Sequence, residues 1–345
     1  MMRSATVRIV IEDPSQVAEA RRIARTNAHE VGFDANRAEQ VAIVTTEVAT
    51  NLLKHAERGE ILLNPIAASN GDAHPVLELL ALDRGPGIGN VNQCLEDGYS
   101  TAGSKGEGLG AVLRLSTFSD IYSRPGSGTA LLARWVAGPE GSSRPHRLAI
   151  GAVNVCKPGQ IVCGDAWGSV EKDGYTTVVV ADGLGHGLEA SVASQDALRM
   201  LREEPALQPI DLLERIHQAL RSTRGAAVAV ARIDRDRGKL TFSGAGNIAA
   251  RIYAGSTPAQ HLVSVNGTAG HQIHQLREFS YPWPANGILI LHSDGLTSGT
   301  GLDALPGSAL RDPSLLAGLL YRDYKRGNDD ATVVVVRENS ERGEP

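Results

Sequence analysis

Alternating and helical spacing of apolar residues over the first 137 positions predicts a sheet packed against helices. Residues 6–11 alternate between apolar and polar side chains, which predicts a strand. Asp13, Pro14 and Gln16 then form a capping box with proline at the first helical position, so we expect a helix from here to about Glu30. The remaining predicted elements are a helix over 36–55 with a single apolar stripe, strands over 60–63, 76–82 and 128–136, and a helix that begins near Leu109.

From about residue 147 the pattern changes to short apolar runs separated by turn residues. Asp173-Gly174 lies between two β-rich runs and predicts a two-residue hairpin. Helical spacing predicts helices over 188–202, 210–222 and 313–325. Further strands are predicted over 148–155, 226–233, 239–243, 249–254, 261–265, 287–292 and 331–337. Because strands and helices fall into separate runs, the predicted fold class is α+β rather than a doubly wound sheet.

The stretch AGPEGSSRPHR at 137–147 is rich in glycine, proline and serine and has no hydrophobic period, which is typical of a linker. We therefore divide the chain into a first domain over 1–137, a linker over 138–146, a second domain over 147–338 and a polar tail over 339–345. The chain has 345 residues, too many for one typical domain, and 42% of them are apolar, enough to build a core in each half.

Charge and cysteine content exclude several classes of protein. The net charge is −5 and the chain has no basic stripe, so we expect no nucleic-acid partner. The longest apolar runs are strand-sized and the charged start of the chain is not a signal peptide, so we expect no membrane span. Three cysteines without a CxxC pair suit the reducing cytoplasm and argue against a zinc site.

Glu47 and Asn51 lie four residues apart on the second predicted helix and therefore share one face. A carboxylate there can orient or deprotonate an attacking hydroxyl group. An amide oxygen one turn further on can coordinate Mg²⁺, which prefers oxygen ligands. Taken alone, the pair is also compatible with a polar outer face of the helix.

Two glycine-rich segments complete a candidate nucleotide site. Asp83 ends a predicted strand, and the glycines at 85, 87 and 89 let a flat ring approach the backbone while the carboxylate accepts from an exocyclic amine such as that of adenine. The segment 103–110 precedes a helix, where converging N–H groups and the helix dipole suit phosphates. It lacks the spacing of a P-loop. Each segment taken alone is also compatible with an ordinary turn.

Four aspartates of the second half, Asp165, Asp182, Asp294 and Asp329, lie at the ends of predicted strands or in turns. In a layered fold, strand ends from two sheets can converge on one cleft, where four carboxylates repel each other unless cations neutralise them. Oxygen ligands select Mg²⁺ or Mn²⁺ rather than zinc, and two such ions can bridge a water and hold a phosphoryl group. Asp-Gly pairs also form simple turns, which is our interpretation of Asp173.

Two further polar residues near these aspartates have two interpretations each. His186, in the segment 182–187, can donate to a phosphate or act as an acid, although a lone histidine more often faces solvent or orients another group. Asn247 can contact a substrate or form a tight turn. The three alternating glycines of the segment 182–187 exceed what a turn requires, so we predict that this segment is functional.

Taken in this order, the three segments of the first domain resemble the GHKL family of ATP-binding domains. The resemblance implies a Bergerat-type α/β sandwich over nearly all of 1–137, and the stretch 96–115 is most similar to the small serine kinases of bacterial partner-switching systems. It implies Glu47 as the catalytic base, Asn51 as the Mg²⁺ ligand and Asp83 as the adenine reader. The implied contacts to Mg·ATP are Asn51, Asp83, Gly85, Gly87, Gly103, Gly106, Gly108, Leu109 and Gly110. The family also contains ATP binders that transfer no phosphate.

Residues 147–338 resemble the PPM-type metal-dependent phosphatases, in particular the SpoIIE-like branch, which implies an α-β-β-α sandwich. The resemblance is carried by VVADGLGHGLEA at 179–190, SDG at 293–295 and DDAT at 329–332. It implies two Mn²⁺ or Mg²⁺ ions. Asp330 is then a candidate to support the metal ligands without binding a metal itself. The implied metal ligands are Asp165, Asp182, the Gly183 carbonyl, Asp294 and Asp329. Val162 and Cys163 depart from the small residues that larger members have before the first aspartate.

The two resemblances imply opposing activities on the same kind of substrate, a serine or threonine of a STAS-domain protein. We therefore expect a cytoplasmic, bifunctional partner-switching regulator. Joining both activities in one chain gives each of them a high effective concentration near the same partner protein. Analogy with the small kinases suggests a possible homodimer. Two alternatives remain open. The chain can be a phosphatase gated by a non-catalytic ATP-binding domain, or an ATP-dependent module that sequesters a partner.

Overall fold

The computed structural model describes residues 6–56, 59–66, 74–91, 108–138, 148–255, 258–303, 305, 307 and 311–338. The chain forms two compact units. The first unit contains residues 2–144 and 310–322, and the second unit contains residues 145–309 and 323–345. The sequence pattern places 310–322 in the second domain, whereas in the structure this segment packs with the first unit. The linker boundary itself stays a prediction, since it lies mostly outside the described residues.

A five-stranded antiparallel sheet forms the centre of the first unit, with the strand order β1-β2-β3-β5-β4. Its strands are β1 (Val7–Ile11), β2 (Gly59–Ile66), β3 (Val76–Leu82), β4 (Phe118–Ser123) and β5 (Thr129–Val136). Three helices cover one face of this sheet, namely α1 (Pro14–Glu30), α2 (Ala35–His55) and α3 (Gly108–Leu115). The predicted capping box is present, because Gln16 and Asp13 exchange hydrogen bonds across the first turn of α1.

Alternation along the strands decides which side chains meet these helices. In β3, Leu77, Leu79 and Ala81 belong to the core formed with α1 and α2. The intervening residues Glu78 and Leu80 face the other side, and they too are buried. The first unit therefore needs a cover on both faces of its sheet.

The second face is covered by helix α6 (Pro313–Tyr324), which is buried along almost its whole length. A Cβ atom at Gly318 would lie 3.2–3.3 Å from the side chains of Leu80 and Leu82, so the helix lies directly on β3. Arg134 of β5 donates to both carboxylate oxygens of Asp312, at 3.0 and 2.9 Å. It also donates to Glu78 at 2.9 Å, so a half-buried cation joins the sheet to the start of the helix.

The second unit contains two five-stranded sheets that share one apolar core. The first sheet has the order β15-β10-β9-β8-β7 and the second has the order β12-β11-β16-β17-β6. Their strands are β6 (Leu148–Val155), β7 (Asp165–Lys172), β8 (Tyr175–Gly183), β9 (Ala226–Asp234), β10 (Lys239–Ala245), β11 (Ala249–Tyr253), β12 (Gln260–His261), β15 (Phe279–Pro282), β16 (Ile288–His292) and β17 (Ala331–Glu338); a small hairpin joins β13 (Gly267–Thr268) to β14 (Gln272–Ile273).

Helices α4 (Leu188–Glu203) and α5 (Pro209–Ala219) cover the outer face of the first sheet. A short 3₁₀ helix (Leu220–Ser222) follows α5. The predicted hairpin is confirmed between β7 and β8, where Asp173 and Gly174 have φ values of 53° and 81°. The α+β class and the layered sheets are likewise as predicted. No helix in the described ranges is both long enough and apolar enough to cross a membrane.

Candidate nucleotide and metal sites

The structure places Glu47 and Asn51 on α2, both half-buried, about two turns and one turn before the helix ends at His55. The loop after β3 packs against this end. A Cβ atom at Gly85 would lie only 2.5 Å from the carbonyl oxygen of His55, so only glycine allows the approach. Asn51 and the segment that begins at Asp83 are thereby brought to one end of the first unit.

Asp83 is held in place by two backbone donors. Its Oδ1 atom accepts from the N–H groups of Gly85 at 2.8 Å and Thr129 at 3.1 Å. Burial raises the pKa of Asp83, even though these two hydrogen bonds act in the opposite direction. Within the described residues, no hydrogen bond to Oδ2 is present, so this oxygen suits an external donor such as the exocyclic amine of adenine.

Glycines also shape the loop beyond Asp83. Gly87 has a φ of +72°, and a Cβ atom there would lie 2.0 Å from the carbonyl oxygen of Arg124. Gly108, Leu109 and Gly110 form the first turn of α3, which packs against α2. Gly103 and Gly106 lie outside the described residues, so the phosphate-binding part of the predicted site is represented only by the start of α3.

In the second unit, Asp165 and Asp182 lie directly opposite each other on the paired strands β7 and β8. Asp165 is 3% exposed. Burial raises the pKa of Asp165 to about 7 and that of Asp182 to about 9, and the two side chains are hydrogen-bonded to each other. Without a cation, the pair therefore retains a proton at neutral pH.

Asp294 and Asp329 approach the same place from the second sheet. Burial is the largest cause of the raised pKa of Asp182, and the negative charges of Asp165, Asp294 and Asp329 raise it further. Among the described residues, no three His, Cys, Asp or Glu side chains are arranged closely enough to hold one ion as they stand. Mg²⁺ usually keeps several waters and uses one or two carboxylates, so this arrangement fits divalent ions that keep part of their hydration. Cations would also relieve the unfavourable charge of the cluster.

Several residues that our sequence reasoning did not assign hold these aspartates in place. The Ser293 hydroxyl donates to Asp165 Oδ2 at 2.6 Å and accepts from the Thr332 N–H at 3.0 Å. Asn154 donates to the Asp165 carbonyl at 3.1 Å. Asn247, left open between two roles, donates to Asp294 Oδ2 at 2.8 Å. Ser293 and Thr332 stand inside the SDG and DDAT motifs, whereas Asn154 has no local signal.

Asp330 fixes the loop that leads into β7. Its two carboxylate oxygens accept from the N–H groups of Lys157 at 2.7 Å and Gly164 at 3.0 Å, so both ends of the loop are tied to one side chain. Arg224 lies next to Gly185 and forms an ion pair with Glu189. His186 is exposed on the loop that carries Asp182.

The raised carboxylate pKa values predict that the metal-free second unit is least stable at high pH. Between the ordinary value of 3.8 and about 9, the folded Asp182 binds more protons than the unfolded one, so stability falls as pH rises through this window. Thermal unfolding midpoints in EDTA should therefore drop between pH 5 and pH 8. Adding Mn²⁺ at pH 8 should restore the midpoint. A midpoint in EDTA that rises with pH would contradict the protonated pair.

Comparison with known proteins assigns each half to a family. Residues 10–135 match the family described as histidine kinase-like ATPase domain, and residues 172–339 match the family described as Stage II sporulation protein E (SpoIIE). The serine/threonine-protein kinase RsbT of Bacillus subtilis (strain 168) is 32% identical over 137 residues, which cover 39% of this chain and 99% of RsbT.

The second half is similar to phosphatases. The phosphoserine phosphatase RsbX of the same organism is 26% identical over 141 residues, which cover 41% of this chain and 70% of RsbX. A crystal structure of RsbX with magnesium has a TM-score of 0.50 at 19% identity and covers 57% of this chain and 98% of that one, so it supports the fold.

A structure from work on the bacterial stressosome, described as a modular system adapted to control secondary messenger signaling, has a TM-score of 0.53 at 29% identity and covers 56% of this chain and all of that one. The first domain therefore belongs to the histidine kinase-like ATPase family, where it is a homologue of RsbT, and the second domain has a PPM-type phosphatase fold that matches the SpoIIE family over residues 172–339.

Proposed function

We propose that the chain is a bifunctional partner-switching regulator that phosphorylates and dephosphorylates serine or threonine residues of STAS-domain proteins. The observation that carries the proposal is the pairing of Asp165 with Asp182, with Asp294 and Asp329 close enough to raise the Asp182 pKa. The approach of Gly85 to the end of α2 supports the kinase half, because it brings Asp83 towards Asn51.

In the phosphatase half, the chain positions carboxylates and a substrate. Divalent ions held by Asp165, Asp182, the Gly183 carbonyl, Asp294 and Asp329 would supply a water nucleophile at neutral pH and neutralise the phosphoryl charge. Ser293 fixes Asp165 and Asn247 fixes Asp294 through the hydrogen bonds described above. Arg224, a cation beside the glycine loop, is suited to hold a phosphate oxygen.

In the kinase half, Glu47 would accept the proton of the acceptor hydroxyl as its oxygen attacks the γ-phosphorus of ATP. The bond between that phosphorus and the bridging oxygen breaks, and ADP leaves. Asn51 would contribute an oxygen to Mg²⁺, and Asp83 would accept from the adenine amine through Oδ2. Positioning and charge neutralisation account for most of the catalysis expected of such a site.

The test is the intact mass of a STAS-domain protein incubated with Mg·ATP and the Asp294→Asn variant, whose phosphatase half should be disabled. We expect a gain of one phosphoryl group, which is lost again after addition of wild-type chain and Mn²⁺. No gain, with ATP binding shown in parallel, would overturn the kinase half. Retention of the phosphoryl group after addition of wild-type chain would overturn the phosphatase half.

One observation favours a second candidate, a phosphatase gated by its ATP-binding domain. Helix α6 contributes residues to both units. In the first unit, Arg322 donates to the Asp83 carbonyl at 3.1 Å, and Arg84 donates to the Arg322 carbonyl at 2.6 Å. In the second unit, the Tyr324 carbonyl accepts from the N–H of Thr297 at 3.0 Å, two residues after the motif that contains Asp294 and Gly295. The Gly295 carbonyl in turn accepts from the N–H of the residue two positions after Tyr324, at 2.9 Å.

This candidate predicts that Arg322→Met uncouples nucleotide from phosphatase rate. The wild-type chain should change its turnover of p-nitrophenyl phosphate when ATP is added, since Asp83 and the Asp294 loop are joined by a few residues of one helix. The variant should keep its turnover without nucleotide and lose most of the ATP response. Unchanged ATP response in the variant, or no response in the wild type, would remove the gating candidate.

A further inference from the structure

Five large apolar side chains are exposed around the candidate metal site: Ile161, Val162, Leu184, Leu188 and Val192, here called the apolar rim. Ile161 is 96% exposed and Leu188 is 70% exposed. In the described part of the chain, only Ile43, Leu113 and Val263 are other large apolar side chains with comparable exposure. Exposed apolar residues are normally scattered, so a concentration on three neighbouring segments indicates a function.

Close contacts bring the three segments of the apolar rim together. A Cβ atom at Gly187 would lie 2.9 Å from Gln160 Oε1, so the residue before Ile161 touches the residue before Leu188. A Cβ atom at Gly164 would lie 2.9 Å from the side chain of Ala190. The loop tied to Asp330, the loop that carries Asp182 and the first turns of α4 therefore form one continuous surface.

The apolar character is confined to the end of α4 that adjoins the metal site. Leu188, Val192, Gln195 and Arg199 follow one another along the exposed stripe of this helix. Only the first two are apolar, and Arg199 is ion-paired with Asp196 and Glu203 of the same helix. A helix that met only water would be polar along the whole stripe, so the apolar end requires a separate reason.

We propose that the apolar rim is the docking surface for the folded phosphoprotein that the metal site dephosphorylates. The inference rests on the proposed phosphatase function. A phosphoserine side chain is short, so its phosphate can reach the aspartates only when the surrounding protein surface lies on the rim. The rim is small, which suits a transient enzyme–substrate contact, whereas an obligate dimer buries a larger and more apolar area. The partner surface is expected to be apolar around its phosphorylated residue.

The test compares three substrates for the full chain with Mn²⁺. They are p-nitrophenyl phosphate, a phosphoserine peptide, and a folded STAS-domain protein that contains the same peptide sequence and an incorporated phosphoserine. The variant Ile161→Ser combined with Leu188→Gln should lower kcat/KM for the folded protein about tenfold or more, mainly through KM. Hydrolysis of p-nitrophenyl phosphate and of the peptide should change by no more than about twofold.

Val263→Ser is the matched control, because Val263 is 51% exposed in the same unit but lies outside the rim. It should leave all three substrates unchanged. Equal kcat/KM of the double variant and wild type on the folded protein would overturn the docking surface. So would a change in oligomeric state of the double variant, which would assign the rim to a second copy. Absence of hydrolysis of p-nitrophenyl phosphate by the wild type would instead overturn the proposed phosphatase function.

Discussion

Asp182→Asn is expected to lower the turnover of p-nitrophenyl phosphate at least about 100-fold in Mn²⁺, because metal assistance supplies several kcal/mol to such reactions. Asp182 lies opposite Asp165 and experiences the charges of Asp294 and Asp329, so its loss weakens the whole cluster. The same variant should melt at a higher temperature than wild type in EDTA at pH 8, since residue 182 then no longer has to take up a proton on folding. It should gain little from added Mn²⁺. Turnover and thermal unfolding with and without Mn²⁺ measure these effects.

The matched control is Asp173→Asn, which makes the same chemical change at the other end of the same hairpin. Asp173 has a φ of 53°, a conformation that asparagine tolerates, so the fold should be preserved. Its turnover and its response to Mn²⁺ should equal those of wild type. If Asp182→Asn retained wild-type turnover, or gained as much thermal stability from Mn²⁺ as wild type, the metal assignment would be wrong.

Glu47→Gln is expected to lower phosphoryl transfer to a STAS-domain protein about 100-fold or more while ATP still binds, since a positioned base contributes roughly 10²- to 10⁴-fold. The substitution keeps the size of the side chain and removes its ability to take a proton. Asn51 and Asp83, which we assign to Mg²⁺ and adenine, are unchanged. Transfer is measured by intact mass in the Asp294→Asn background, and binding by calorimetry with a non-hydrolysable ATP analogue.

Glu39→Gln is the control on the same helix, where Glu39 forms a surface ion pair with Arg21. Surface pairs of this kind contribute little to stability, so the variant should behave as wild type in both assays. Equal transfer by the Glu47→Gln variant and wild type would show that Glu47 is not the base. Loss of ATP binding in that variant would instead assign Glu47 to the nucleotide pocket.

Most of the secondary structure was predicted because hydrophobic periodicity and turn residues can be recognised within a short segment of sequence. The strand that ends at Leu82, directly before Asp83, and the hairpin at Asp173 were found from periodicity and turn chemistry. Strand β4 was missed because its sequence, FSDIYS, is short and half polar. The predicted strand over 261–265 is reduced to β12, while β15 was not predicted, because edge pairing depends on neighbours from elsewhere in the chain.

The site was predicted only as far as motifs extend along the sequence. The positions of Asp165, Asp182, Asp294 and Asp329 at predicted strand ends or in turns singled them out, and the resemblance implied their role as metal ligands. The hydrogen bond from Ser293 to Asp165 joins residues 128 positions apart, and the bond from Asn154 to Thr332 joins residues 178 positions apart. No local signal encodes such pairs, since they depend on how two sheets stack. The packing of α6 against the first unit could not be predicted for the same reason. An apolar helical pattern shows that a helix is buried, but it does not show which element covers it.

Helix α6 also determines when the first unit can be completed during protein synthesis. The sheet is finished at Val136, but its second face waits for a helix that begins at Pro313, about 180 residues later. At synthesis rates of roughly 5–20 residues per second, that interval lasts roughly 10–35 s. During this time Leu80 and Leu82 lack their cover, and the carboxylate of Glu78 lacks the hydrogen bond from Ser314. The first unit can therefore complete its fold only after most of the second unit has been synthesised.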